Sequence, residues 1–191
     1  MMHTLFPVDQ VFPEGFSYYP DFISAEEETY LLDQIKKVEL HAFVFQGFEA
    51  KRKVASFGYD YSFDNRQLTK GEKIPIVFQP LIEKVAGKIS VPAQDFAELL
   101  IIEYPPGAVI NWHRDAPPFD LISGISLLSD CTFKLRPHDK ASQNRKSTIS
   151  FTAARRSLYT IDGPSRSEWQ HSTAPVKERR FSITLRTLRK S

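Results

Sequence analysis

A single cysteine, Cys131, in 191 residues excludes any intrachain disulfide and suits a reducing compartment. It stands among alternating strand residues, where it reads as a buried structural thiol. No apolar run approaches the roughly 18–20 residues that a membrane-spanning helix needs. The N-terminus lacks a basic segment followed by an apolar one, so no signal peptide is expected and the chain reads as soluble and cytoplasmic. Strong charge of one sign is missing too. A net charge of +2 excludes a global field for coating a polyanion. Repeats and low-complexity tracts are also absent. What remains, 41% hydrophobic and 25% charged residues, is an ordinary globular composition with length for one sizeable core.

The positive charge that is present is clustered. Lys177, Arg179, Arg180, Arg186, Arg189 and Lys190 crowd the last fifteen residues, and Lys51-Arg52-Lys53 forms a second knot. On a near-neutral chain such clusters point to local anion binding.

Residues 1–23 are aromatic and proline-punctuated, an extended arm expected to pack Phe12, Phe16 and Tyr18 onto the body. Ser24 and Glu27 then form a capping box for a first helix with Leu31, Leu32, Ile35 and Val38 as its apolar stripe. A second helix is expected from Pro80, presenting Leu81, Ile82, Val85 and Ile89. Between the helices, period-two spacing predicts a strand from Val54 with Phe57, Tyr59, Tyr61 and Phe63 on one face, followed by a flexible loop over 65–73. After Phe96 the chain reads as many short strands: 99–104, 109–113, 124–128, 132–136, 148–151, 157–161 and 180–188. Asp139 to Lys146 reads as a polar hairpin loop. Helices first and an all-β half second predict one α+β, β-rich domain, a jelly roll buttressed by N-terminal helices.

Chemistry concentrates at the end of the strand that reaches Tyr104. After a Pro-Pro-Gly turn the chain resumes in β and offers His113 and Asp115, which as i and i+2 share a face. An imidazole beside a carboxylate supplies two of the three ligands of a 2-His-1-carboxylate iron site. The pair alone is weak, since chance supplies about 0.3 such pairs from this composition. His171, alone, reads more readily as a satisfied core histidine than as a ligand. The last strand places Arg180, Ser182, Thr184 and Arg186 on one face, with Phe181, Ile183 and Leu185 on the other. That polar face is either a solvated exterior or a cradle for a small dicarboxylate, which arginine recognises bidentately. The Tyr104 phenol stands at the turn into the histidine strand and could donate to a bound acid.

In this order the residues resemble the AlkB family of iron(II)/2-oxoglutarate dioxygenases. The likeness is carried by His113-x-Asp115, His171 and Arg180-x-Ser-x-Thr-x-Arg186. Tyr104-x-Pro-Gly-Ala, Gly163-Pro-Ser-Arg166 and Gly58-Tyr-x-Tyr-Ser62 add to it. The resemblance implies a double-stranded β-helix core over about 96–191, and an arm, helices and nucleotide-recognition lid over about 1–95. It implies iron(II) at His113, Asp115 and His171. It implies 2-oxoglutarate held by Arg180 and Arg186, assisted by Tyr104, with Ser182 and Thr184 on the same face, and dioxygen (O2) at the remaining iron position. Hydroxylation of an N-alkyl group would give a hemiaminal that collapses to the bare base and an aldehyde. The substrate would be alkylated DNA or RNA, single-stranded or with its base flipped, bound by a monomeric enzyme through Tyr59, Tyr61 and Arg52.

The sequence departs from the family pattern at the substrate side. Ser182 stands where asparagine is common, and Ile102 where the founding branch has an asparagine touching the co-substrate. Pro117 replaces an acidic residue that contacts the base there. The stacking tryptophan of that branch has no counterpart; the equivalent stretch is Lys51–Lys53, with Phe45 and Phe48 the nearest aromatics before it. These departures keep open the same oxygenase chemistry on a modified tRNA base or a protein side chain. A binding module without chemistry and a hydrolytic zinc site are also conceivable, but the first wastes an intact ligand set and the second leaves the paired arginines without a role.

Overall fold

The alternation read in the second half of the chain is realised as two facing antiparallel sheets. The computed structural model describes residues 11–45, 47–63 and 65–190, so the first part of the arm, with His3, lies outside them. In chain order the elements are β1 (Phe16–Tyr19), α1 (Ala25–Ile35), β2 (His41–Phe45), β3 (Phe48–Ser62), β4 (Gln67–Lys70), α2 (Gln79–Ile89), β5 (Phe96–Tyr104), β6 (Ile110–His113), β7 (Phe119–Leu127), β8 (Cys131–Pro137), β9 (Ile149–Ala153), β10 (Leu158–Ile161), α3 (Gly163–Ser167), β11 (Trp169–Thr173) and β12 (Arg180–Leu188). The larger sheet has eight strands, in the order β1-β10-β7-β12-β5-β3-β2 with β4 branching from β3. The smaller has four, β6-β11-β8-β9. This is the expected double-stranded β-helix.

Period two decides what each face of β12 meets. Phe181, Ile183 and Leu185 are buried with Leu31 and Ile35 of α1 and with Leu81, Ile82 and Val85 of α2. The two helices therefore cover the outer face of the larger sheet, as the sequence implies. The inner face belongs to a second cluster drawn from both sheets, including Ile102, Tyr104, Ile122, Phe133, Leu135 and Phe151. Strand β12 lies between β5 and β7, with Arg180 opposite Tyr104, Ser182 opposite Ile102 and Arg186 opposite Glu98.

The Ser24–Glu27 capping box forms, with the Ser24 hydroxyl accepting from the Glu27 amide. Glu28, fully buried, pins α1 to the sheet: Oε1 accepts from the Leu128 amide at 2.8 Å and Oε2 from Arg155 Nε at 2.7 Å. The aromatic arm becomes strand β1, paired to β10, with Phe12, Phe16 and Tyr18 packed around Phe151. Cys131 is buried, as expected.

Two expectations need correction at the same place. Residues 65–73 are not a loop throughout, because Gln67–Lys70 forms β4 against β3. The aromatic run from Phe57 to Phe63 does not share one face either. At Gly58 the backbone takes φ +87°, and a Cβ there would overlap the Ala97 carbonyl. Here β3 leaves β5 and turns into the β3–β4 hairpin. Phe57 consequently packs on the helix-side cluster, and Tyr59 and Tyr61 on the interior one. A period-two count cannot see a residue that resets the phase.

A second glycine marks a tight approach. Gly124 on β7 lies beneath the Tyr159 ring, which a Cβ would penetrate, and Tyr159 is wedged against Phe133 at 4.7 Å between centroids. Gly124→Ala is expected to cost about 1–3 kcal/mol, a fall in Tm of roughly 2–10 °C for a chain of this size. A thermal melt at wild-type temperature would mean the ring has room to move.

Candidate metal and co-substrate site

His113 ends β6, and His171 sits directly across from it in β11. Their rings approach to 4.2 Å between centroids, inclined at 58°. Asp115 lies just beyond the strand end, so its orientation does not come from the sheet ladder that its i+2 spacing suggests. Arg166 supplies it. From α3 its Nη2 donates to the carbonyls of Asp115, Ala116 and Phe119 at 3.1, 2.9 and 2.9 Å. The Gly-Pro-Ser-Arg run thus has a physical role, since its buried guanidinium pins the loop that carries the acidic residue.

The three side chains converge, with one ligand atom from each lying within 4.8 Å of the others. The Nδ1–H of His113 donates to the Asn111 carbonyl at 2.9 Å, which leaves Nε2 as its free donor atom. Burial, with His113 as the next cause, lowers the pKa of His171 to about 3, so its imidazole is neutral and keeps a lone pair for a metal. Burial opposes the Asp115 charge and is the largest single influence, but Arg186 and the other basic groups around it together outweigh it and hold the carboxyl well below the usual range. Oδ1 of Asp115 accepts from Arg186 Nη2 at 2.6 Å and Nε at 3.1 Å. Oδ2 is buried, has no hydrogen-bond partner and lies 3.4 Å from His171 Nε2. A partnerless buried carboxylate oxygen beside two imidazoles fits a divalent iron ion, with three coordination positions left open.

The residues expected to hold the co-substrate lie on the inner face of the larger sheet. Arg180 is 2% exposed; its Nε donates to Ser126 Oγ at 3.0 Å and its guanidinium lies 4.7 Å from the Tyr104 ring centroid. Its Nη1 is buried with no partner. A buried cation with an idle donor is costly unless an anion arrives, so the spot fits one carboxylate of 2-oxoglutarate. The Tyr104 hydroxyl lies 3.4 Å from Ser182 Oγ, and Thr184 is buried next along the strand, opposite Gly124. These four side chains lie close together on that face. Arg186 is differently engaged. Besides Asp115, its Nη1 donates to Glu98 Oε2 at 2.5 Å, so most of its fork is spent on two carboxylates.

The basic knot divides by parity. With Lys53 opposite Glu103, Arg52 falls beside Tyr104 on the inner side, while Lys51 and Lys53 are exposed. The Arg52 guanidinium stacks on Phe43 at 3.9 Å from its centroid. Tyr59 and Tyr61 are half-buried on the β3–β4 hairpin, packed against the interior cluster. The side chains of Phe45 and Phe48 lie outside the described residues. Glu98, Ser126, Gly124 and Arg166 are parts of the site that sequence reasoning passed over or left without a role. Glu98 carried a signal: it alternates with Leu100, Ile102 and Tyr104, a lone acid on an interior face.

A family model described as the 2OG-Fe(II) oxygenase superfamily matches residues 15–186. The chain belongs to this superfamily. The oxygenase is similar to the tRNA (carboxymethyluridine(34)-5-O)-methyltransferase ALKBH8 of Mus musculus, 27% identical over 88% of this chain and 25% of that protein. The Xenopus tropicalis protein of the same description is 26% identical over 86% of the chain and 26% of that protein. The chain therefore spans about a quarter of the length of these relatives. Among solved structures, OsALKBH1 superposes with a TM-score of 0.72 at 13% identity, covering 93% of this chain and 99% of that one. A prolyl hydroxylase from Trichoplax adhaerens, in complex with a peptide fragment of hypoxia inducible factor, superposes at 0.64 with 15% identity, over 91% and 83%. The AlkB-like character read from the motifs is upheld, as are the dioxygenase class and its iron, 2-oxoglutarate and dioxygen. Among the described residues no helix is long and apolar enough to cross a membrane.

Proposed function

We propose that this oxygenase oxidatively dealkylates N-alkylated nucleic acid bases, releasing aldehyde, succinate and CO2. The observation that carries this reading is a set of half-buried side chains on β2 and β3. The half-buried Arg52 stacks on Phe43 beside Tyr104, and the β3–β4 hairpin adds Tyr59 and Tyr61. Aromatic faces hold an unstacked base and a cation meets its phosphate, the combination a flipped or single-stranded nucleotide requires.

Iron bound at the triad would supply dioxygen activation, with 2-oxoglutarate as the reductant that becomes succinate and CO2. The chain's part is placement. His113, Asp115 and His171 fix the metal; Arg180, Tyr104, Ser182 and Thr184 hold the co-substrate; the packed inner cluster excludes water from the deep end.

A second reading keeps the chemistry and changes the substrate to a modified tRNA base. It is favoured by relatives whose names describe action on tRNA, and by Pro117 in place of an acid that would read a base amino group. Action on a protein side chain has only a shared fold behind it.

Protein loaded with iron(II) and 2-oxoglutarate is to be incubated with oligonucleotides carrying 1-methyladenine or 3-methylcytosine, and in parallel with bulk tRNA, with products read by mass spectrometry. Loss of the methyl group supports dealkylation. An added oxygen on a tRNA base, with the methyl groups intact, supports the second reading. Turnover on peptides alone contradicts both. Tyr59→Ala and Tyr61→Ala are expected to raise the KM for the nucleic acid by roughly 5- to 150-fold each, the worth of one stacking contact, while leaving 2-oxoglutarate affinity unchanged.

A further inference from the structure

A carboxylate on the inner face of β5 needs a reason. Glu98 is 2% exposed, on a face otherwise made of Leu100, Ile102 and Tyr104. An isolated buried carboxylate is strongly unfavourable, so the residue must be compensated. Compensation comes from directly opposite in the sheet, where Arg186 Nη1 donates to Oε2 at 2.5 Å. Ser56 of β3 donates to Oε1 at 3.2 Å. The other edge of the same guanidinium, Nε with Nη2, grips Oδ1 of Asp115. One arginine therefore bridges a metal-binding carboxylate and one that touches no metal ligand.

The bridge has a geometric and an electrostatic consequence. Arg186 is long and flexible, and anchoring Nη1 on Glu98 fixes the plane in which Nε and Nη2 meet Asp115. Oδ1 is then occupied and Oδ2, buried and partnerless, is the one oxygen left free for a metal. Without Glu98, Arg186 would serve Asp115 alone, and its full positive charge would offset the carboxylate that faces the metal position. With Glu98 present, the same guanidinium is shared between two carboxyl groups, which lessens its offset of Asp115 even though burial pushes the Glu98 carboxyl up.

We infer that Glu98 is a positioning residue of the iron site: it holds Arg186 so that Asp115 presents Oδ2 alone to the metal. The inference rests on the iron reading of the triad. It also shifts the main role of Arg186 from gripping 2-oxoglutarate to orienting a metal ligand, leaving two of the five guanidinium N–H groups for other partners.

The test is metal binding without co-substrate. The metal-stripped full chain is titrated with cobalt(II), and the ligand-field spectrum gives both affinity and coordination. Glu98→Gln is expected to weaken cobalt binding by about 10–100-fold, the usual penalty for an outer-shell partner, and to change the band shape as Asp115 turns. Its 2-oxoglutarate affinity at saturating metal is expected to stay within about threefold of wild type. Ser56→Ala, which removes only the support of Glu98, is expected to weaken cobalt binding in the same direction by less. Unchanged cobalt affinity and spectrum in Glu98→Gln would overturn the inference, whatever happens to 2-oxoglutarate. If Glu98→Gln does not fold, wild-type cobalt affinity and spectrum in Ser56→Ala overturn it instead. Equal cobalt binding by wild type and His113→Ala would instead reject the triad itself.

Discussion

Arg180→Met is expected to weaken 2-oxoglutarate binding by about thirty-fold or more and to raise the melting temperature of the protein when metal and co-substrate are absent. Both effects have one cause. The Arg180 guanidinium is buried, its Nη1 has no partner, and its near neighbours Cys131, Tyr104 and Tyr159 supply no carboxylate. In the empty protein it is a desolvated cation held for a ligand, and an apolar side chain of similar length removes that burden. Replacing buried ionic groups by hydrophobic ones is commonly neutral or stabilising by about 1–4 kcal/mol. At roughly 2–4 °C per kcal/mol for a chain of this size, the rise is visible in a melt. Losing the cation for a buried carboxylate partner costs about 2–5 kcal/mol of binding, from thirty-fold to several-thousand-fold in affinity. Calorimetric titration of 2-oxoglutarate into the metal-loaded variant measures the first effect. Wild-type affinity there would remove Arg180 from the co-substrate site.

Asp115→Ala is expected to go further, ending both iron binding and turnover. It deletes the anionic ligand and leaves the Arg186 charge facing the metal position with only Glu98 to balance it. Metal affinity should fall by more than the roughly 10–100-fold that an outer-shell substitution costs. Cobalt titration reads this directly, and an Asp115→Ala protein that binds cobalt like wild type would place the metal elsewhere.

The sequence was most legible where one period ran undisturbed. Strand β12 alternates strictly over its first seven residues, 180–186, and it delivered both the helix-side core and the polar inner face. The capping box at Ser24 was equally plain, since it needs only two residues three apart. The triad could be read because its order matched a known family, although local geometry alone misplaced Asp115. That residue follows the end of β6, and its position depends on Arg166 from an element more than fifty residues later in the chain.

What stayed hidden depended on contacts between elements distant in sequence. No local pattern announces that Arg186 meets Glu98 rather than a free ligand; that follows from the β5–β12 register. Gly58 resets the phase of β3 because the Ala97 carbonyl comes too close for any side chain, and Ala97 belongs to a different strand. Arg52 separated from Lys51 and Lys53 for the same reason, since only the pairing with β5 tells which parity points inward. Side-chain identity fixed the chemistry that was available, and strand register decided which groups meet.

Succinate release tests the oxygenase site most directly. Wild-type protein with iron(II), 2-oxoglutarate and air is expected to convert 2-oxoglutarate to succinate, slowly alone and faster with an alkylated oligonucleotide or tRNA. His113→Ala and Arg180→Met are expected to do neither. Turnover of 2-oxoglutarate by His113→Ala at the wild-type rate would show that the chemistry does not take place at His113, Asp115 and His171.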